Sequence, residues 1–422
     1  MKILVTGLCL SRNLGGPAMA LTLIDELDKR LNCQNEYTFC VSSIDFESEK
    51  KMAKVYNLNI VRRAELEAYI THFSLLRYIK RFFQGKKLTY IKKAFAFWNN
   101  TYNEQNSAYS YADIIINMEG ISYIGDGTRG YWEGINSYTG YYFAKKNKKP
   151  YCRFIQSFGP LSRFDVNYFA KKEFSILPFI PARGEKSAEE CIRLLNSNQN
   201  VYSFPDSAVL LEPSSDKWLD KYLQNNGLVK NKYIVLSPSS VVKNIPKNKS
   251  LTSGEKYIDF FVKIVQYFTL QNHKIVFLPH MYSDNKKECD REVCKEIIKK
   301  VEGYNCFLVE DNLNCKEAKA VISASSLSIV SRYHALVAAL STEVNVVAIG
   351  WNIKYYDLMK YYNLENFALD SRTVDENELY RLTIEKIKEY DNVKKRDVLH
   401  KEVSLKVSKA FDLLANWIVH DK

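Results

Sequence analysis

Apolar runs alternate with amphipathic segments along the chain. The uninterrupted run KILVTG (2–7) is typical of a buried strand, and the apolar spacing of residues 15–31 predicts a helix. Strand patterns recur in the first half at YTFCVSS (37–43), ADIIINMEG (112–120) and YCRFIQSFG (151–159). Strands separated by helices predict a parallel α/β sheet.

The second half of the chain repeats this alternation. Its predicted strands are KYIVLSPSS (232–240), KIVFLPH (274–280), CFLVED (306–311) and VNVVAIG (344–350). Residues 257–271 predict a helix, residues 318–331 a helix or turn followed by a strand, and residues from about 375 to 419 a helical tail. No short-period repeat or low-complexity tract interrupts the pattern.

The two halves predict an α/β protein of two Rossmann-like domains that face a cleft, with a helical C-terminal tail. The segment 213–231 joins them, so we place an N-terminal domain at 1–228 and a C-terminal domain at 229–422, with terminal helices able to cross back. A basic, aromatic helical insertion falls at about 70–105. Ligands of such folds bind at the carboxyl ends of the strands.

Composition narrows the class of protein. The 422 residues are 46% hydrophobic and 26% charged, which is ordinary for a globular protein, and the net charge of +12 favours an anionic partner. Nucleic acid, phosphorylated small molecules and anionic membranes all qualify. The nine cysteines form no disulfide framework and no C-x₂-C pair, which predicts reduced thiols in the cytoplasm and no structural metal. The start MKILVTG predicts no secretory signal, and no run is long enough to span a membrane.

The stretch SIVSRYHALVAALS (328–341) places a guanidinium and an imidazole where a strand becomes a helix. With Ser331 as N-cap, Arg332, Tyr333 and His334 form the first turn. A helix N-terminus attracts anions, and arginine offers a bidentate fork for phosphate or carboxylate. His334 can then exchange a proton with a bound anion. The alternative is a surface ion pair for Arg332 and an interdomain packing role for His334.

Two further segments lie at predicted strand ends. FLPH places His280 just beyond a strand, and NLGGPA (13–18) joins the first strand to the first helix through Asn13, Gly15 and Gly16. The glycine pair allows the backbone to approach a ligand closely. The alternative for His280 is a histidine in a loop without a functional role, and the alternative for residues 13–18 is a plain turn.

The other candidate site residues are charged residues that follow predicted strands in the first half of the chain. The glycine-rich segment 116–130 contains Glu119 and Asp126, either of which can act as a base toward a sugar hydroxyl. In PARGEKSAEE, Arg183 precedes a predicted N-cap, Ser187, and can reach the cleft. The alternative for the segment 116–130 is a solvated loop, and the alternative for Arg183 is a surface arginine.

Residues 76–98 carry seven Lys or Arg residues interleaved with aromatic and aliphatic residues. This pattern suits a helix pair on an anionic membrane surface. The alternative is a helical insertion whose aromatics pack on the domain. RNA binding is less favoured, since no RNP or KH signature is present.

The block SRYHALVAALSTEVNVVAIGWNIKYYDLM resembles the C-terminal signature of the polysaccharide pyruvyl transferase family. There an Arg-x-His opens a helix after a strand, and an aromatic residue and a lysine follow the next strand. Here these are Arg332, His334, Trp351 and Lys354. The segments NLGGPAMALTLI, QSFGP, Arg183 with Ser187, FPDSAVLL and FLPH fall in the family's order, so the resemblance spans about 1–365.

The chain departs from the family pattern twice. The family's first loop usually continues Gly-Asp-Glu, where this chain has Gly15, Gly16 and Pro17, and its glycine pair after the third strand is here Glu119 and Gly120. Both departures concern the residues expected to contact the acceptor substrate more than those expected to contact the donor substrate.

The resemblance implies a GT-B-like fold and transfer from phosphoenolpyruvate to two sugar hydroxyls as a cyclic ketal, with release of phosphate and no cofactor or metal. Arg332, Arg183 and Lys354 would anchor the donor. His334 would protonate carbon 3, and His280 would bind phosphate or share the proton transfer. Glu119 or Asp126 would deprotonate the acceptor.

The implied setting is the cytoplasm, at the inner face of the cell membrane if residues 76–98 bind lipid. The glycan acceptor is lipid-linked or nucleotide-linked, and nucleic acid is not a partner.

Two other functions stay open on sequence. A glycosyltransferase of the same architecture would use a nucleotide sugar, but the acidic residue available for a ribose, Asp357, lies beyond Lys354 in a helix. A non-catalytic protein that binds membrane or RNA through residues 76–98 would not need two Rossmann-like halves.

Overall fold

The computed structural model describes residues 1–42, 45–64, 100–126, 130, 132–390 and 396–420. The chain forms two compact units: residues 1–11, 23–204 and 410–422 make the first, and residues 12–22 and 205–409 the second. The boundary predicted at 228 differs from this division, since residues 205–228 pack in the second unit. Their backbone is tied there, for example by Ser214 N donating to Lys316 O at 3.0 Å. The basic segment 76–98, predicted as a membrane-surface helix pair, lies outside the described residues.

The first unit contains a five-stranded parallel sheet with the order β3-β2-β1-β4-β6 and two parallel two-stranded pairs, β5-β7 and β8-β9. The strands are β1 Lys2–Thr6, β2 Glu36–Ser42, β3 Asn59–Arg63, β4 Ile114–Asn117, β5 Ile121–Ser122, β6 Tyr151–Arg153, β7 Ser157–Phe158, β8 Ile180–Arg183 and β9 Val201–Phe204. The central strands are uninterrupted apolar runs because helices cover both faces of a parallel sheet.

Helices of the described residues precede β9 at several places in the chain. They are α1 Gly15–Leu31, α2 Phe46–Val55, α3 Glu133–Lys146, α4 Phe164–Phe174 and α5 Glu185–Leu195, and residues 100–111 are also helical. Glu49 of α2 has no exposed surface and fixes the segment that follows β1. Its carboxylate accepts hydrogen bonds from Leu10 N and Ser11 Oγ, both at 2.7 Å.

A buried ion pair ties the first unit together beyond β4. Arg153 and Glu173 are both fully buried, with Nε and Oε1 2.5 Å apart. Its Nη1 donates to Ser122 Oγ at 3.0 Å and Gln156 Oε1 at 2.8 Å, and its Nη2 donates to Ser137 O at 2.6 Å and Glu173 Oε2 at 3.1 Å. A buried charge is tolerated only when it is paired and hydrogen-bonded in this way. Gln156 Nε2 in turn donates to Asn117 Oδ1 at 2.7 Å, so the network fixes the end of β4.

The second unit contains a six-stranded parallel sheet with the order β12-β11-β10-β13-β14-β15. Its strands are β10 Tyr233–Ser237, β11 Lys274–Phe277, β12 Cys306–Leu308, β13 Leu327–Val330, β14 Asn345–Gly350 and β15 Ala368–Asp370. The remaining helices are α6 Asp216–Asn225, α7 Ser240–Lys243, α8 Glu255–Thr269, α9 Asp290–Lys300, α10 Cys315–Ser323, α11 Tyr333–Ser341, α12 Ile353–Lys360, α13 Glu376–Glu389 and α14 Arg396–His420; short 3₁₀ turns occupy Ser207–Leu210 and Glu365–Phe367.

The predicted elements agree with this structure in most places. Helix α1 has the predicted bounds, 15–31, and strands β1, β10, β11 and β14 lie within their predicted segments. The prediction missed the short strands β3, β8, β9 and β15, which carry too few alternating positions to stand out from loops. Among the described residues, no helix is both long and apolar enough to cross a membrane.

Candidate functional site

Helix α11 begins directly after β13, the strand that pairs with β10 and β14. Its N-cap is Arg332 and its first residue is Tyr333, so the predicted N-cap, Ser331, is wrong by one position. Ser331 is instead buried, and its Oγ accepts a hydrogen bond from Tyr257 Oη at 2.7 Å. Arg332 supplies no side-chain cap, and the positive end of the helix dipole therefore favours an anion at this point.

The Arg332 guanidinium is held by a buried carboxylate. Its Nε donates to Asp290 Oδ2 at 2.7 Å and its Nη2 to Asp290 Oδ1 at 2.5 Å. Nη2 also lies 3.0 Å from Ser240 Oγ. Asp290 has no exposed surface, whereas 15% of the arginine side chain is exposed. This is a buried, bidentate pair, not the surface ion pair that was the alternative on sequence.

Burial by itself would lower the pKa of Arg332, but the charge of Asp290 and its hydrogen bonds outweigh it and raise that pKa. Arg332 therefore keeps its charge with its fork fixed in direction. A fixed guanidinium loses less entropy when it binds an oxyanion.

His334 lies on the first turn of α11, between the carboxylate of Asp206 and the backbone of Gly15. Its Nε2 is 3.8 Å from Oδ2 of Asp206, and its side chain is 22% exposed while Asp206 is fully buried. Asp206 Oδ1 accepts a hydrogen bond from Ala208 N at 2.9 Å, which fixes the carboxylate at the start of a 3₁₀ turn.

Gly15 packs against the other side of the His334 ring. A Cβ at residue 15 would lie 2.0 Å from His334 Nδ1, so any other residue would displace the imidazole. Asn13 fixes this turn, since its Oδ1 accepts hydrogen bonds from Gly15 N at 2.9 Å and Gly16 N at 3.3 Å. The structure thus brings Asn13, Gly15 and Gly16 to His334 within the second unit.

Lys354 is surrounded by aromatic rings. Its Nζ lies 5.1 Å from the ring centroid of Tyr333, 5.5 Å from that of Trp351 and 5.7 Å from that of Tyr355. Such cation–π contacts orient an ammonium group. Tyr355 is anchored in turn, because its Oη donates to Ser331 O at 2.8 Å.

His280 lies beyond β11 and is buried. Its Nδ1 is 3.1 Å from Ser237 Oγ and 3.3 Å from Leu278 O, and its carbonyl accepts Leu14 N at 3.2 Å. Burial lowers the pKa of His280 to about 4. The side chain is therefore neutral near pH 7 and suits a hydrogen-bonding role better than that of a proton donor.

A small cavity of about 20 Å³ lies beside His334, which is room for about one water molecule. Its lining residues are Leu14, Ala18, Ala208, Leu211, His280, Cys315, Lys319, His334, Val337 and Ala338. Lys319 is buried, its Nζ lies 3.3 Å from Val209 O, and burial lowers its pKa to about 8. A cavity of this volume is too small for an organic substrate.

The remaining predicted site residues lie in the first unit. Glu119 follows β4, and its backbone N donates to Asn117 Oδ1 at 3.1 Å, while Asp126 is exposed. Arg183 is buried at the end of β8, where its Nε donates to Ser157 Oγ at 3.0 Å and its Nη2 to Gly120 O. The structure therefore gives Arg183 a role in fixing the segment after β4.

The prediction that Ser187 caps a helix is wrong. Helix α5 begins at Glu185 with Gly184 as its N-cap, and Ser187 Oγ instead accepts a hydrogen bond from Phe158 N at 3.0 Å. Glycine occupies the cap because φ there is +91°, a conformation that residues with a side chain rarely adopt.

Sequence reasoning missed two buried charges, Asp290 and Lys319, and named Asp206 only as the centre of a segment that matches the family. Asp290 opens a strongly charged helix, and Lys319 lies in a segment predicted as helix or turn, so both resemble solvated positions. Only Asp206 carried a usable signal, as part of FPDSAVLL. Within the described residues, no group of three or more His, Cys, Asp or Glu side chains could hold a metal ion.

Solved structures with the same fold cover nearly the whole chain. The UDP-GlcNAc 2-epimerase from Neisseria meningitidis bound to UDP-GlcNAc matches with a TM-score of 0.56 at 10% identity, covering 99% of this chain and 100% of that one. The S. aureus MnaA–UDP structure has a TM-score of 0.57 at 12% identity, covering 99% and 95%. Anabaena Alr3699/HepE in complex with UDP-glucose has a TM-score of 0.57 at 12% identity, covering 99% of each chain.

At these identities the likeness shows the fold alone. It confirms the predicted GT-B-like α/β class with two Rossmann-like domains.

The sequence itself carries a family assignment. No curated protein matches it. The family model described as polysaccharide pyruvyl transferase matches residues 25–353, which is most of the chain and includes β13, Arg332 and His334. Lys354 follows the last matched residue. This chain therefore belongs to the polysaccharide pyruvyl transferase family, and the enzyme is a transferase.

Proposed function

We propose that this enzyme transfers the enolpyruvyl group of phosphoenolpyruvate to two hydroxyls of one sugar, forming a cyclic pyruvate ketal and releasing phosphate. The observation that carries the proposal is the start of α11, where the fixed fork of Arg332 and the Asp206-supported imidazole of His334 stand two residues apart. Membership of the family supports it.

The donor brings two anionic groups, a phosphate and a carboxylate. Arg332 and Lys354 supply two cations in the same unit, and the N-terminus of α11 adds its dipole. Arg332 is fixed by Asp290 and Lys354 by aromatic rings, so both are ordered before the donor binds. This preorganisation lowers the entropy lost on binding.

The proposed reaction begins with a proton transfer. His334 donates a proton to carbon 3 of phosphoenolpyruvate, which leaves carbon 2 electron-poor, and one sugar hydroxyl attacks carbon 2 and loses its proton. The carbon 2–oxygen bond to phosphate then breaks, and the second hydroxyl attacks carbon 2 and loses its proton. The products are the ketal with a new methyl group and inorganic phosphate.

His334 suits the role of general acid better than His280. It is partly exposed and has Asp206 beside it, whereas buried His280 is neutral near pH 7. His280 hydrogen-bonds Ser237 at the end of β10, and its backbone carbonyl fixes Leu14 next to Gly15. That Glu119 or Asp126 accepts the proton of the attacking hydroxyl stays a prediction; within the first unit, Arg183 Nη2 donates to Gly120 O beside Glu119.

A second candidate is a glycosyltransferase that uses a nucleotide sugar. The specific observation in its favour is the fold shared with proteins whose structures hold UDP or UDP-sugars. Asp357, the residue it would need for a ribose, is buried in α12. We therefore rank this function second.

The test is a thermal shift with phosphoenolpyruvate and, separately, UDP-glucose. A ligand at 100 times its Kd stabilises the folded state by about 2.7 kcal/mol. We expect phosphoenolpyruvate to raise the Tm of the wild type and to leave the Tm of Lys354→Met unchanged. The control is Lys360→Met, which replaces an exposed lysine of the same helix and should keep the Tm shift. A shift with UDP-glucose and none with phosphoenolpyruvate would instead favour the glycosyltransferase.

A further inference from the structure

Helices α3 and α4 of the first unit, and the residues next to their ends, carry large apolar side chains that are exposed. Phe164 is 86% exposed, Ile176 55%, Tyr168 52%, Tyr142 48% and Trp132 41%. Phe164 and Tyr168 are four residues apart and therefore lie on one face of α4. Exposed aromatic residues grouped in this way mark an interaction surface more often than isolated ones do.

The two helices pack side by side in the same direction. Gly134 N at the start of α3 lies 3.3 Å from Asp165 Oδ2 at the start of α4, and one turn later the rings of Tyr138 and Phe169 are 5.1 Å apart. Trp132 and Phe164 therefore lie at the same end of the pair. The last turns at the opposite end carry lysines: Lys145 and Lys146 on α3 and Lys171 and Lys172 on α4.

This surface is strongly cationic. Residues 132–176 contain three acidic residues: Glu133 is buried, Asp165 is paired with Arg163 at 2.6 Å, and Glu173 is the buried partner of Arg153. The lysines of the same segment are Lys145, Lys146, Lys148, Lys149, Lys171 and Lys172. None of these lysines forms a salt bridge with a carboxylate of the described residues. The surface therefore keeps a positive charge at one end of the helix pair, where Lys172 lies next to the exposed ring of Tyr168.

We propose that this α3–α4 surface, comprising the exposed aromatics and lysines named above, docks the enzyme on an anionic lipid bilayer. Aromatic rings partition into the interface, and lysines nearby contact the headgroups, each strengthening binding roughly fivefold. Lys172 brings the two features together, with its Nζ 5.6 Å from the Tyr138 ring and 5.8 Å from the Tyr168 ring.

The composition favours lipid over the other anionic or apolar partners. Protein interfaces are depleted in lysine, whereas here lysine is the main charged residue. Arginine is the preferred residue for nucleic-acid recognition, and Arg163 on this surface is only partly exposed and is already paired with Asp165. The proposal does not depend on the proposed donor or reaction.

The experiment is flotation of the full-length enzyme with vesicles of phosphatidylcholine alone or with 30% phosphatidylglycerol, at low and high salt. We expect flotation with the anionic vesicles only, reduced by salt. Phe164→Ser/Tyr168→Ser and Lys171→Glu/Lys172→Glu should each lower the bound fraction at least tenfold. Matched controls on the second unit are Leu270→Ser, a leucine 81% exposed, and Lys217→Glu/Lys221→Glu on α6.

Several outcomes would overturn the proposal. The wild-type protein would fail to float, or would float equally well with neutral vesicles. Alternatively, the α3–α4 variants would float like the wild type, or the control variants would lose binding to the same degree as the α3–α4 variants. Loss of self-association in Phe164→Ser/Tyr168→Ser, with flotation unchanged, would assign the surface to a second copy of the chain. Loss of salt-sensitive RNA binding in Lys171→Glu/Lys172→Glu, with flotation unchanged, would assign it to nucleic acid.

Discussion

His334 Nε2 lies 3.8 Å from Oδ2 of Asp206, a carboxylate without exposed surface. In Asp206→Asn the negative charge beside the imidazole disappears while the shape and the hydrogen bond to Ala208 N can persist. We expect kcat to fall roughly tenfold or more with a smaller change in KM for phosphoenolpyruvate, since Asp206 acts through His334. His334→Ala should lose roughly 10²–10⁴ in kcat. Steady-state phosphate release measures both, with exposed Asp220→Asn on α6 as control. Equal kcat values for Asp206→Asn and wild type would remove Asp206 from the mechanism.

Gly15→Ala tests the packing of α1 against the catalytic histidine. The new methyl group would lie 2.0 Å from His334 Nδ1. Alanine normally stabilises a helix by about 0.5–1 kcal/mol relative to glycine, so a loss of activity cannot come from helix propensity. We expect at least a tenfold drop in kcat/KM. Gly130→Ala adds the same methyl group into open space and should behave as wild type. Full activity of Gly15→Ala would show that the imidazole can move without consequence.

Asp290→Asn removes the partner of the buried Arg332 guanidinium. Breaking a buried pair from one side typically costs 3–5 kcal/mol, and the partial exposure of Arg332 reduces this to about 3 kcal/mol. Calorimetry should show a lower Tm, and kcat/KM for phosphoenolpyruvate should fall because the fork is no longer fixed. Glu296→Gln breaks the more exposed pair with Lys243 and should change stability by less than about 1 kcal/mol. Similar Tm losses in the two variants would mean that the buried pair has no special weight.

Stability should fall in mild acid through His280. Its pKa is about 4 in the folded state, below the ordinary 6.5. As pH falls from 6.5 toward 4, the unfolded state binds the proton first, so the free energy of unfolding decreases by roughly 2–3 kcal/mol. Urea denaturation at pH 7 and pH 4.5 measures this difference. His280→Gln should remove that part of the decline, and His420→Gln at an exposed position should retain it. An identical decline in His280→Gln would assign the acid sensitivity elsewhere.

Lys319→Met should stabilise the enzyme near pH 7. Burial lowers the pKa of Lys319 to about 8, so the folded state carries a charge there at a cost that the unfolded chain does not bear. Replacing it with an apolar side chain of similar length should add about 1–3 kcal/mol. The gain should shrink as pH rises from 8 toward 10.5, where the wild-type lysine becomes neutral in the folded state first. Differential scanning calorimetry checks this, with Lys316→Met on the same helix as control. A destabilised Lys319→Met would mean that its contact with Val209 O outweighs the desolvation.

The sequence by itself determined the fold class and the family. Uninterrupted apolar runs and the 3.6-residue spacing of residues 15–31 are local features, so strands β1, β10 and β14 and helix α1 could be predicted from neighbouring residues alone. The Arg-x-His pair at 332–334 is likewise local, and its resemblance led to the family that the comparison confirmed.

Tertiary structure decided what the charged side chains do. Arg332 and Asp290 are 42 residues apart in the chain, and no local pattern says that the first turn of α9 meets the first turn of α11. Asp206 and Gly15 reach His334 from still more distant segments. In the structure, the guanidinium of Arg332, predicted to bind an anion, is held by a buried carboxylate, and His280 is a buried, neutral imidazole. Burial and pairing of these side chains depend on which strands are neighbours in the sheet.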